Sequence, residues 1–128
     1  MMNVKVLYVD DEPDIRTIVE FALEDEEGLT IQLCASGAEA LTRVESYQPD
    51  IILLDVMMPS MDGPTTLQHL RTKPCCVNTP VVFVTAKVQP HEVAHFKQLG
   101  AVAVIAKPFD PMTLAEQVWA IWRGCQHG

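Results

Sequence analysis

Long apolar runs are missing from this 128-residue chain. None approaches the ~20 residues that a membrane-spanning helix needs, so no membrane partner is expected. The N-terminal run Val4–Val9 stops at Asp10 and Asp11 with no cleavage-site pattern, so no secretory signal is read and the expected location is cytoplasmic. Basic residues are scarce: 9 Lys+Arg stand against 17 Asp+Glu, a formal charge of −8. A surface of that sign repels phosphate backbones, which argues against direct nucleic-acid binding. A local acidic cluster would instead attract a divalent cation. Cysteine is limited to Cys34, Cys75, Cys76 and Cys125, whose spacing matches no zinc ribbon or CxxC motif. Cys75 and Cys76 are adjacent and poorly placed to bridge each other, so all four read as free thiols of a reducing compartment. Linkers and low-complexity tracts are absent too. Residues 1–128 therefore read as one domain, with no output domain in this chain.

What is present is apolar and short. Hydrophobic residues make up 48% of the chain, enough for one core. They fall in nearly continuous runs at Val4–Val9, Ile31–Ala35, Ile51–Leu54, Val81–Val84 and Ala103–Ala106. Runs that do not alternate with polar residues predict strands buried on both faces of a parallel sheet. Helical periodicity lies between them: Ile15, Ile18, Val19 and Ala22 share a face, as do Leu41 and Val44, Leu67 and Leu70, and Val93 and Phe96. Leu114, Val118 and Ile121 mark a last helix. Pro13, Pro64, Pro90 and Pro111 sit where first helical turns begin. Ser36 and Asp110 are placed as N-caps. Gly28 and Gly100 are placed at helix ends, Pro49 follows another, and Cys125–Gly128 reads as a frayed tail. The alternation predicts an α/β fold with helices on both faces of the sheet.

Four of the five strand runs lead directly into polar residues with chemistry to offer. The first ends in Asp10–Asp11, the third in Asp55, the fourth in Thr85 and the fifth in Lys107. In a parallel sheet these residues share the carboxyl edge, where open α/β sheets bind ligands. Crowded carboxylates raise each other's pKa unless a cation neutralises them. Mg²⁺, or Mn²⁺ in its place, suits such a set because it takes oxygen ligands and shares its shell with phosphate. A carboxylate can attack phosphorus to form an acyl phosphate. Asp55, from the middle run and flanked by Leu54 and Val56, is the best nucleophile. Asp10 and Asp11 are then metal ligands, directly or through water. Lys107 and the Thr85 hydroxyl are placed to hold phosphoryl oxygens.

The segments VLYVDDEP at Val6–Pro13, DVMMPSMDG at Asp55–Gly63, VTA at Val84–Ala86 and KPF at Lys107–Phe109 resemble the receiver domain of two-component response regulators. The resemblance spans essentially the whole chain. It implies a flavodoxin-like, doubly wound fold with a five-stranded parallel sheet of order 2-1-3-4-5. It implies that Asp55 accepts phosphate from a histidine kinase or histidine phosphotransfer protein, and that the domain then signals to a downstream effector protein or output domain. Mg²⁺ would be held by Asp10, Asp11, Asp55 and the backbone carbonyl of Met57. Such a domain acts on its own aspartyl phosphate and turns over no separate substrate.

Val104 departs from the family, which usually carries an aromatic ring three residues before the lysine. Switching is therefore expected to run through the loop after Thr85 and the helix near Pro90. In receivers the positions of Met57 and Lys87 flank the path of attacking water, so by this resemblance a bulky apolar Met57 predicts a long-lived phosphoryl group; the alternative is that both are ordinary loop residues. Trp119 and Trp122 form a second stripe on the last helix, either covering the sheet edge or open to a partner. In receivers the last strand and last two helices often form a homodimer surface.

His91–Glu92–Val93–Ala94–His95 spells HExxH, a zinc-protease pattern. No third ligand follows, and a solvated helix end is the expectation; His69 and His127 have no evident partners. Two other function classes share parts of this pattern. A Mg²⁺-dependent phosphohydrolase normally needs an acid two residues after its nucleophile, where Met57 stands. A phosphorylation-independent, receiver-like interaction module usually lacks the acidic pair, the acceptor or the lysine, all of which are present.

Overall fold

A computed structural model describes residues 3–126. Strands β1 (Val4–Val9), β2 (Leu29–Cys34), β3 (Ile51–Asp55), β4 (Val81–Thr85) and β5 (Ala103–Ala106) alternate with helices α1 (Pro13–Leu23), α2 (Gly37–Tyr47), α3 (Gly63–Leu70), α4 (Pro90–Gln98) and α5 (Leu114–Gln126). A short 3₁₀ turn, Pro74–Cys76, leads into β4. All pairings are parallel, in the order β2-β1-β3-β4-β5. This is the flavodoxin-like arrangement that the sequence resemblance implies.

Alternate residues of each strand feed two cores. Leu7, Val9, Ile52, Leu54, Val81 and Phe83 pack against Ala40, Val44, Leu67, Leu70 and Phe96 of α2, α3 and α4. Val6, Tyr8, Leu53, Val82, Val84 and Ile105 pack against Val19, Leu23, Leu114 and Val118 of α1 and α5. Burial on both faces explains the unbroken apolar runs of β3 and β4. The outer strand β2 is only half-buried along its middle, so its apolar signal is weaker and its true start at Leu29 lies ahead of the expected Ile31. Its end at Cys34 leaves Ala35 outside, where the Ala35 N–H donates to Glu39 at 2.6 Å.

Several local expectations are met by visible chemistry. Ser36 Oγ caps α2 by accepting from the Glu39 N–H at 3.0 Å, while the Glu39 carboxylate holds the Ala35 N–H just ahead of the cap. Pro13 and Pro90 open α1 and α4, and Pro64 lies in the first turn of α3. Gly100 follows α4 at φ +118°. Pro49 follows Gln48, which ends α2 in the left-handed region.

Four expectations need correction. Pro111 and Asp110 do not open α5. The Asp110 carboxylate accepts from the Met112 N–H and its carbonyl from the Thr113 N–H, forming a separate turn, so the helix starts at Leu114. Gly28 does not end α1, which stops at Leu23. At φ +89° it instead enters β2, where its carbonyl accepts from the Val4 N–H. Ile18 is exposed, and Leu23 takes the buried place on α1. The tail expectation fails for Cys125 and Gln126, which continue α5; His127 and Gly128 lie outside the described residues. No described helix is long and apolar enough to cross a membrane.

Candidate functional site

The chain runs from β1 outward to β2, then returns past β1 to β3, so the crossover direction reverses between β1 and β3. The crevice outside their carboxyl ends is where this topology binds ligands. Val9 pairs with Leu54 there, setting Asp10 and Asp55 on neighbouring strand ends. One carboxylate oxygen from each of Asp10, Asp11 and Asp55 lies within 4.8 Å of the others. Asp10 and Asp55 are buried, and Asp11 is half-exposed.

Lys107 reaches this cluster from the end of β5. Its Nζ lies 2.8 Å from Asp10 Oδ2, 3.2 Å from Asp55 Oδ1 and 3.5 Å from Glu12 Oε1. The following Lys107–Pro108 peptide is cis. One ammonium thus serves two buried carboxylates. Burial first, and the Asp10 carboxylate next, push Asp55 up to about 6, against the opposing pull of Lys107. Burial works against the Lys107 charge, yet hydrogen bonding to Asp10 and the charges of Asp10 and Asp55 hold its pKa above the ordinary lysine value. The donor set is all carboxylate oxygen and its negative charge exceeds the lysine's positive charge. Both features fit a hard divalent cation such as Mg²⁺.

Thr85 ends β4 next to β5, where it pairs with Ala106. Its buried hydroxyl accepts from the Lys87 N–H at 3.1 Å, so its proton is left to donate elsewhere. The Lys87 and Met57 side chains are exposed, Met57 at 67%. Behind Asp55 the backbone is tightly backed by Gly63: a Cβ there would come within 2.7 Å of the Asp55 carbonyl oxygen. The glycine of the DVMMPSMDG segment is therefore required by close approach.

Three neighbours of Asp10 escaped sequence reasoning. Tyr8 Oη donates to Asp10 Oδ2 at 2.7 Å, the Glu12 N–H donates to Oδ1 at 3.0 Å, and Arg16 Nη1 donates to the Asp10 carbonyl at 2.7 Å. Tyr8 lies inside an apolar run and reads as core, which its ring is; only its position two residues before Asp10 hints at the hydroxyl's partner. Burial foremost, then the Asp10 charge, drives the Tyr8 phenol far above its ordinary pKa, so it stays a donor. Tyr8→Phe should cost about 1.5–3 kcal/mol, the usual scale for a hydrogen bond to a charged group. Urea unfolding would read this, and a loss below ~0.5 kcal/mol would mean that Lys107 alone satisfies Asp10.

The other singled-out residues lie apart from this cluster. Val104 is partly buried against the α2–α4 core and pairs with Phe83. Phe83 meets Phe96 of α4 edge-on at 5.3 Å, so the aromatic bulk here sits on β4 and α4 rather than on β5. Trp119 and Trp122 are half-buried and pack on the α1–α5 core, and Arg123 lies 5.8 Å over the Trp119 ring. Covering the sheet is thus their visible role. His91 and His95 are exposed on α4. Among the described residues only Asp10, Asp11 and Asp55 gather as a potential metal cluster.

Comparison with known proteins agrees with this geometry. The family model for the response regulator receiver domain matches residues 6–119. The chain is 37% identical over 122 residues to the alkaline phosphatase synthesis transcriptional regulatory protein PhoP of Bacillus subtilis, covering 95% of this chain and 50% of that protein. It is 39% identical over 110 residues to sporulation initiation phosphotransferase F of Bacillus subtilis, covering 86% of each. The solved structure of the chemotaxis response regulator CheY4 of Vibrio cholerae superposes with a TM-score of 0.85 at 33% identity, covering 94% of this chain and 99% of that one. The chain spans about half the length of several of the response regulators it matches. With the fold, the acidic cluster and its lysine in place, the chain belongs to the response regulator receiver domain family.

Proposed function

We propose that Asp55 is a phosphoacceptor whose modification switches this domain between two signalling states. The observation that carries this reading is the meeting of Asp10, Asp11, Asp55 and Lys107 on one sheet edge, from three separate strand ends. The donor is a phosphohistidine on a histidine kinase or histidine phosphotransfer protein. An Asp55 oxygen forms a bond to phosphorus while the bond to the donor imidazole breaks, and the imidazole nitrogen keeps the electron pair. Asp10, Asp11 and Asp55, with the Met57 carbonyl, would hold Mg²⁺. Bound there, the ion neutralises part of the phosphoryl charge. Lys107 already sits 3.2 Å from Asp55 and moves its hydrogen bond to a phosphoryl oxygen. The Thr85 hydroxyl donates to another. Incubation with acetyl phosphate tests this by intact mass: one phosphoryl group is expected, dependent on Mg²⁺ and absent from Asp55→Asn. Equal labelling of that variant would overturn the reading.

Thr85 and Phe83 lie two residues apart on one face of β4, and Phe83 packs on α4. A pull on Thr85 is therefore passed to the Lys87 amide, the loop at residues 86–89 and α4, with Val104 as passive packing. Amide chemical shifts of residues 86–98 should move on phosphorylation; an unmoved loop would sink this route. The exposed Val88, Leu99 and Val102 around α4 and β5 suit a downstream effector or a second copy. Sedimentation that finds only monomer with and without phosphorylation would remove the homodimer. Met57 is the side chain we assign to shielding the acyl phosphate from water. Met57→Asn should shorten its lifetime by ~10-fold or more, the scale on which a positioned polar group assists water. An unchanged decay rate would leave Met57 without that role.

A further inference from the structure

The acidic site uses none of the four thiols, yet two of them lie side by side. Cys75 is exposed and Cys76 is fully buried, and their Sγ atoms are 3.6 Å apart. They occupy the 3₁₀ turn between α3 and β4, and Cys75 lines an open cavity of about 490 Å³ with Glu45, Lys73 and Pro74. The backbone around them is pinned. Arg71 Nη1 donates to the Cys76 and Thr79 carbonyls at 2.8 and 2.7 Å, and Thr79 Oγ1 donates to the Cys75 carbonyl at 3.3 Å.

That spacing favours one chemistry over another. A disulfide needs sulfurs about 2.0 Å apart, and the planar peptide joining adjacent cysteines resists that approach. A soft centre with sulfur bonds near ~2.3 Å spans sulfurs ~3.8 Å apart at a tetrahedral angle and ~3.4–3.5 Å apart at the narrower angle of a pyramidal three-coordinate centre. The observed 3.6 Å lies within this range and far from a disulfide. A four-coordinate metal would need further ligands, and among the described residues no third His, Cys or carboxylate gathers with this pair. A centre satisfied by two thiolates is required.

We propose that Cys75 and Cys76 form a two-thiol chelating site for a mono-organic trivalent arsenical. In R–As=O the arsenic already carries one organic group, so two sulfurs complete its three-coordinate shell. Two As–S bonds form, the two thiol protons and the arsenic-bound oxygen leave as water, and arsenic stays trivalent with no oxidant needed. The arsenical enters from the cavity at Cys75 and closes onto Cys76.

Phenylarsine oxide tests this on the full chain, by intact mass and by counting remaining thiols. One adduct per chain is expected, consuming two of the four thiols, surviving excess glutathione and released by dithiothreitol. Cys75→Ser replaces an exposed side chain and should keep the fold, checked by circular dichroism, while weakening the adduct by ~10²-fold or more, the scale of a lost second attachment. The Cys34→Ser, Cys125→Ser double variant should bind as the wild type does. An adduct stripped by glutathione, or one retained in Cys75→Ser, would overturn the proposal. A wild-type chain that takes up no phenylarsine would do the same.

Discussion

Asp55→Asn should make the metal-free protein more stable, by roughly 1–3 kcal/mol at pH 7. Asp55 is almost fully buried, and burial together with the Asp10 carboxylate raises its pKa from 3.8 to about 6. A carboxyl with a raised folded pKa binds more protons in the folded state than in the unfolded state. Its linkage therefore favours folding below about pH 4, and that contribution is lost as pH rises through about 6. Wild type and variant should converge towards pH 4 and differ by a constant amount above pH 7. Thermal unfolding in EDTA across this range measures the difference. Added Mg²⁺ should stabilise the wild type more than the variant, because the variant lacks one ligand charge. A variant less stable than the wild type in EDTA at pH 7 would show that Asp55 is held by contacts stronger than the repulsion invoked here.

Lys107→Met should act in the opposite direction. The ammonium bridges Asp10 and Asp55 at 2.8 and 3.2 Å, and Asp10 is fully buried. Removing one partner of a buried ion pair typically costs ~3–5 kcal/mol. Asp55 can relieve part of that by taking up a proton, so about 2–4 kcal/mol is expected in metal-free buffer at pH 7. Mg²⁺ supplies a replacement cation, so the loss should shrink by at least half when it is saturating. Denaturant unfolding with EDTA and with Mg²⁺ separates these terms. Equal losses in both buffers would mean that Lys107 acts through packing of its aliphatic stem. The two substitutions together distinguish a site built to hold a cation from one built for stability, since only the former gains from losing a carboxylate.

The central strands were legible because both their faces are buried. Val4–Val9 holds as read, and β3 and β4 each extend by only the polar residue that ends the run. Of the rim elements, the edge strand Ala103–Ala106 also holds as read, although it is only partly buried. Asp10, Asp11, Asp55 and Lys107 were legible as a set because parallel pairing leaves strand ends no choice of edge. Elements at the rim were less clear. β2 begins at Leu29 because pairing with Val4 orders residues whose own pattern is mixed. The turn before α5 follows from side-chain and backbone bonds at Asp110 that a helix-start signal resembles.

Within the site, charge was readable and hydrogen bonding was not. Tyr8 looks like any aromatic of a buried strand until its hydroxyl is seen on Asp10. Arg16 looks like a solvated helix residue until its guanidinium is seen on the Asp10 carbonyl. The aromatic missing at Val104 was readable, but the Phe83–Phe96 contact beside it depends on strand register and helix packing together. Trp119 and Trp122 carried two meanings in sequence, and packing on the α1–α5 core makes covering the sheet the visible one.

The decisive measurement is the position of the phosphoryl group. Protein treated with acetyl phosphate and Mg²⁺ would be reduced with borohydride, which converts an aspartyl phosphate to homoserine, and mapped by peptide mass. Homoserine at position 55 alone, dependent on Mg²⁺, is the expected result. Conversion at position 10 or 11, or a phosphoryl group on any side chain other than Asp55, would contradict the assignment of Asp55 as the acceptor.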